Sequence, residues 1–198
     1  GCVFLPASVR TAALRLCRRY ARAGALLLAV ACAAWGGVRL LSPPQLAVTF
    51  LDVHQGDAAV LQIGGHAFMI DCGGTRDQAF DVGGRVDVPY LLHVGVRRLD
   101  AIFLSHAHED HAAGAGGVLR RLPVRAVLTA GEGRAAYARS MGLSTADPLL
   151  DRLVTLKTGE RYTIDGVTIE AIAVPEAEEA GGNEACAVLR VRSGDAAF

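Results

Sequence analysis

The sequence is almost without lysine. Lys157 is the only one among 20 basic residues, so arginine carries the positive charge. It has no net charge either, because 20 acids balance those 20 bases. Acids are absent from residues 1–41, which hold six arginines (10, 15, 18, 19, 22 and 39). The remainder has 14 basic residues against all 20 acids, a net −6. An acidic body excludes a basic nucleic-acid-binding module. Close cysteine pairs are also missing. Cys2, Cys17, Cys32, Cys72 and Cys186 form no C-x-x-C, and an odd count excludes a closed disulfide framework. Small buried or membrane-embedded thiols are expected instead. No repeat of fixed short period is present. Apolar material is abundant: 52% hydrophobic against 20% charged excludes a disordered chain. A length of 198 residues predicts one domain with an appendage. The chain stops inside an apolar run, so a longer parent protein is expected.

Ala23–Val38 is an uncharged run between Arg22 and Arg39, extended by Leu40 and Leu41. With Arg39 snorkelling, it approaches the roughly 20 residues that cross a bilayer. Trp35 falls near its far end, where interfacial aromatics are common. The reading is a transmembrane helix over 23–41. The basic segment 1–22 lies in the cytoplasm by the positive-inside rule, and the main domain lies outside at the plasma (inner) membrane. A core helix and a secretory signal, with Ala29-Val30-Ala31-Cys32 faintly like a lipoprotein cleavage site, are the alternatives.

Residues 42–45 (with Ser42-Pro43-Pro44) read as a stiff linker, and 46–198 as the domain. Strands are expected at Leu46–Val53, Ala58–Ile63 and Ala67–Asp71, with Gly64-Gly65 as a turn. Helical spacing covers Val86–Val94. Asp100–Ser105 is a buried strand running into a His-rich loop. A short helix at Gly117–Arg121, a strand at Val124–Thr129 and a helix at Gly133–Met141 follow. The remainder reads as strands Leu153–Leu156, Arg161–Ile164, Val167–Val174 and Ala185–Val191, with a hairpin at Asp165-Gly166. Sheets covered by helices, an α/β class, follow from this order.

The chemistry concentrates in Ser105-His106-Ala107-His108-Glu109-Asp110-His111. Three of six histidines and two carboxylates fall within six residues. Imidazole and carboxylate are ligands that Zn, Mn or Fe accept. His106 and His108, two apart, can point one way from an extended loop. Asp110 and His111 begin the next turn and can face a second ion about 3.5–4 Å away. His54, His66 and His93 stand alone and read as ordinary residues.

The pattern His106-Ala-His108-Glu-Asp110-His111 resembles the H-x-H-x-D-H signature of the metallo-β-lactamase fold. Phe50-Leu51-Asp52-Val53-His54-Gln55-Gly56-Asp57-Ala58 is similar to the F-L-D-V-G-Q-G-D-A opening of one branch. Met69-Ile70-Asp71-Cys72-Gly73-Gly74 resembles its I-D-T-G-G. Phe80-Asp81-Val82-Gly83-Gly84-Arg85-Val86 with Pro89-Tyr90-Leu91 resembles its F-D-x-G-E-R-V…P-Y-L. Gly95-Val96-Arg97-Arg98-Leu99-Asp100 resembles its G-I-R-R-L-D. Together these resemble the C-terminal domain of ComEC-type DNA-internalisation (competence) proteins.

That resemblance implies an αββα metallo-β-lactamase-like sandwich, truncated at its C-terminus and preceded by a transmembrane helix. It implies a metal-dependent phosphodiesterase or nuclease degrading the DNA strand that is not transported, with two divalent ions, Zn or Mn. Single-stranded DNA, the membrane and other DNA-uptake proteins are the implied partners. His106 and His108 would hold one metal, and Asp110 and His111 the other. Asp110 would also position the attacking hydroxide. Asp71 would orient a ligand histidine, and Asp57 would shape its turn. Turn capping is the plain alternative for Asp52, Asp57 and Asp71.

The chain departs from the family at three places. His54 replaces a Gly, and Val174 stands before Pro175 where the family has a ligand His, leaving Glu176 as the nearest donor. The family's later T-G-D would fall past Phe198. Two alternative functions follow: a non-catalytic domain of this fold shaping a DNA channel exit, and a membrane-tethered metallo-hydrolase of a small ester or lactam.

Overall fold

The computed structural model describes residues 7–41, 46–54, 56–75, 80–175, 186–194 and 196–197. The expected linker 42–45 and Glu176 lie outside the described residues. The chain divides into two compact units, Gly1–Pro43 and Pro44–Phe198.

The first unit is helix α1, Ala7–Leu41. Its stretch Arg18–Val38 is long and apolar enough to cross a membrane. Leu26, Leu27, Leu28, Val30 and Trp35 are all exposed on it.

The second unit holds two sheets. Strands β1 (Leu46–Phe50), β2 (Ala58–Ile63) and β3 (His66–Cys72) form an antiparallel meander. Strands β4 (Leu99–Leu104), β5 (Val124–Thr129) and β6 (Leu153–Thr155) continue it in parallel, in the order β1 to β6. Strands β7 (Arg161–Ile164), β8 (Val167–Ala173), β9 (Val188–Ser193) and β10 (Ala196–Ala197) make an antiparallel second sheet. The β7–β8 turn has Asp165 and Gly166 both at positive φ, 47° and 79°, as a tight hairpin requires.

Alternation along β2 explains the layering. Ala58 and Val60 join one core with Met69, Ile102, Val118 and Tyr137. Ala59, Leu61 and Ile63 join another with Phe103, Ile169 and Val191, between the two sheets. The first sheet is therefore apolar on both faces, with helices on one side and the second sheet on the other. Each fully buried Leu, Ile or Phe contributes about 1.5–3 kcal/mol. The outer face of the second sheet is polar, with Glu170 bonded to Arg161 and Arg190.

The helices differ from the sequence expectation in two places. The Val86–Val94 stretch splits into a π turn, Gly83–Asp87, and α2, Val88–His93. The expected short helix at Gly117–Arg121 is instead α3, Glu109–Leu119, ahead of α4, Arg134–Ser140. Glycines 114, 116 and 117, poor helix formers, sit inside α3 because the helix lies directly on other backbone. A Cβ at Gly114 would overlap the Cys72 carbonyl, and one at Gly116 the Met141 carbonyl. Close approach outweighs the propensity cost of about 1 kcal/mol per glycine. The consequence is functional: Asp110 and His111 lie on the first turn of a helix, not in a loop.

Candidate metal centre

Parallel strands put their carboxyl ends on one edge, the usual place for a ligand crevice in such sheets. Ile70 of β3 pairs with Phe103 of β4, so Asp71 and Ser105 leave the two strands at the same edge. The Asp71 carboxylate, 4% exposed, accepts the Ser105 N–H at 2.8 Å and the Ser105 hydroxyl at 2.8 Å. It also accepts from His111 Nδ1 at 2.9 Å. Asp71 holds φ at 54°, a strained value for a non-glycine residue. His108 is the extended N-cap of α3, at φ −79° and ψ 152°. Asp110 and His111 follow on the first turn.

The hydrogen-bond partners assign both tautomers. The single Ser105 hydroxyl proton goes to Asp71, yet Ser105 Oγ lies 2.9 Å from His106 Nδ1. That oxygen is placed to accept there, which assigns the His106 proton to Nδ1, with Cys186 Sγ 3.4 Å from the same nitrogen. Its Nε2 is then a bare lone pair, and it is buried without any hydrogen-bond partner. The Asp71 carboxylate can only accept, so His111 also carries a proton on Nδ1 and leaves Nε2 open, 4.0 Å from Asp110 Oδ2. His106, Asp110 and His111 each offer a ligand atom within 4.8 Å of the others. An unpaired buried nitrogen costs about 1–3 kcal/mol, which a cation beside it would offset. Two open imidazole nitrogens and a carboxylate are the donor set that Zn or Mn accepts. The residues present fit a divalent ion.

His108 stands beside this trio. Its ring centroid is 4.7 Å from that of His106, nearly edge-on at 73°, but it is not one of the three donors. Asp57 is more distant in character: its side chain is 81% exposed, 3.9 Å from His111 Nδ1. Its backbone carbonyl accepts the Gly73 N–H at 2.8 Å, a turn-shaping contact. Val174 packs against the inter-sheet core, and its N–H donates to Thr158 Oγ1 at 3.0 Å. His54 takes φ 66°, so a histidine occupies the left-handed conformation that suits glycine.

The electrostatics separate the two histidines. The Asp71 hydrogen bond raises the His111 pKa above its ordinary value. Burial, and then the neighbouring His111 and His108, lower that of His106. Burial likewise pushes up the thiols of Cys72 and Cys186, and Cys186 Sγ lies 3.4 Å from His106 Nδ1. Cys32, Cys72 and Cys186 are in no disulfide among the described residues. Glu132, which follows the carboxyl end of β5 and bonds the Ala107 N–H, and Tyr137 of α4, which bonds Glu132, had no signal in the sequence.

Comparisons with known proteins bear on the fold and the family. Residues 51–182 match the model of the metallo-beta-lactamase superfamily. The chain is 30% identical over 95 residues to ComE operon protein 3 of Bacillus subtilis, covering 41% of this chain and 12% of that protein. Among solved structures, a metallo-beta-lactamase of Cronobacter sakazakii with a HARLDQ motif superposes with a TM-score of 0.52 at 22% identity, covering 78% of this chain and 59% of that one. A B3 metallo-beta-lactamase with an active-site glutamic acid gives 0.51 at 20% identity, covering 79% and 60%. The chain thus spans about an eighth of the curated relative and under two thirds of these structures. The family match covers most of the chain, including the His106–His111 segment, and this chain belongs to the metallo-beta-lactamase superfamily.

Proposed function

We propose that the domain is a metal-dependent phosphodiesterase of a membrane DNA-uptake protein, degrading the non-transported strand. The observation that carries it is the buried, unpartnered Nε2 of His106 beside Asp110 and His111, in a chain similar to ComE operon protein 3. His106, Asp110 and His111 would hold a divalent ion, with His108 available for a second. Such an ion supplies Lewis acidity toward a phosphoryl oxygen and acidifies water.

The chain's own residues do the rest. Asp71 fixes His111 and Ser105 in one orientation, and Ser105 fixes the tautomer of His106. The Asp110 carboxylate, partly exposed, would also orient the attacking water at the open side by accepting its hydrogen bond. With an acidic body, the strand's phosphates must be drawn by the ion and the channel rather than by the domain's field. Single-stranded DNA, other uptake proteins and the membrane are the partners, with α1 as the anchor and the domain on the extracytoplasmic side.

Val174 at the expected ligand position favours a second reading, a non-catalytic domain shaping the channel exit. Mn²⁺-dependent cleavage of end-labelled single-stranded DNA by the purified full-length gene product tests both. Slow cleavage, raised by Val174→His and lost in His111→Ala, is expected. No cleavage by either the native protein or Val174→His would leave the second reading.

A further inference from the structure

Ala107 lies between His106 and His108, so its peptide orientation sets the direction of both rings. Its N–H donates to Glu132 Oε2 at 2.9 Å. The same oxygen accepts the Tyr137 hydroxyl at 2.9 Å. The Tyr137 oxygen in turn accepts the Ala130 N–H at 3.1 Å, and Tyr137 is fully buried in α4. Glu132 comes from the short loop between β5 and α4, 25 residues after Ala107. A buried tyrosine therefore holds a carboxylate, which holds the backbone of the ligand loop.

We propose that Glu132 is a positioning residue for the metal centre. It acts through the Ala107 N–H to fix the His106-Ala107-His108 backbone, and Tyr137 locks it in place. The inference rests on the reading of His106, Asp110 and His111 as a metal site. Several features favour a dedicated tether over incidental loop packing. A carboxylate is the strongest acceptor a side chain offers to a backbone N–H. Tyr137 keeps its proton, because burial raises its pKa, so its hydroxyl remains a donor. Both bonds converge on one oxygen, so one substitution releases both.

The test is the affinity of the full-length protein in detergent for Zn²⁺ and Mn²⁺, by competition with a chromophoric chelator, with no substrate present. Glu132→Ala should weaken affinity about 10- to 100-fold, the usual effect of losing an outer contact to a ligand. Glu132→Gln keeps an amide oxygen able to accept both bonds and should restore affinity to within about threefold. Tyr137→Phe should weaken affinity about three- to tenfold, because Glu132 loses its lock. Melting temperature is read alongside. Native-like affinity in a folded Glu132→Ala overturns the proposal, as does a Glu132→Gln as weak as the alanine variant. Should Glu132→Ala fail to fold, native affinity in Tyr137→Phe overturns it. A native protein that binds neither ion overturns the metal-site reading and this inference with it.

Discussion

Asp87 closes the π turn and is completely buried, and neither carboxylate oxygen has a hydrogen-bond partner. Burial first, and the nearby Asp81 charge second, raise its pKa from 3.8 to about 8. The unfolded chain releases this proton near pH 4, while the folded domain keeps it to about pH 8. Across that window the unfolded state binds one proton fewer, so stability falls as pH rises, by about 1.4 kcal/mol per unit at most. From pH 5 to pH 7 this one group should cost on the order of 2–3 kcal/mol. Stability from it is whole below pH 4, and the loss levels off above about pH 8. Asp87→Asn keeps the shape and removes the titration. Urea unfolding of both proteins in detergent, followed by circular dichroism at pH 5, 6 and 7, reads the effect as a difference. The other titrating groups, His106 and His111 among them, largely cancel. The asparagine variant should gain on the native protein by about 2 kcal/mol between pH 5 and pH 7. Parallel pH curves would refute the reasoning, since Asp87 would then ionise normally.

Two further outcomes follow. His54→Gly should raise unfolding free energy by about 0.5–1 kcal/mol, because glycine adopts φ 66° without the Cβ penalty; chemical denaturation checks it, and a loss of stability would contradict it. A reporter active only outside the cytoplasm, fused after residue 60, should be active if the Arg10–Arg22 cluster ahead of 23–41 obeys the positive-inside rule; a silent reporter would sink the orientation.

Much of the fold was legible because its signals are local. The apolar run of β2 before the Gly64-Gly65 turn and the Asp165-Gly166 turn each occupy a few adjacent residues, and the structure places strands and hairpins there. The start of α3 was not legible. The sequence reading began the helix at Gly117, because Gly114 and Gly116 are poor helix formers unless the Cys72 and Met141 carbonyls are seen pressed against them. The histidine segment announces metal chemistry in seven residues. Of its supports, Asp71 was reached only through the family resemblance and Glu132 had no signal, because they contact it from 34 and 25 residues away in sequence. The topology of parallel β3, β4 and β5, rather than any motif, brings those carboxylates to the site.

The central claim is that this chain holds a divalent ion on His106, Asp110 and His111. Elemental analysis of the purified full-length protein, after dialysis against trace Zn²⁺ and Mn²⁺, tests it most directly. The native protein should carry at least about one ion per chain, and His106→Ala with His111→Ala should carry about tenfold less while remaining folded. A native protein free of metal, or a double variant with undiminished metal, would contradict the claim.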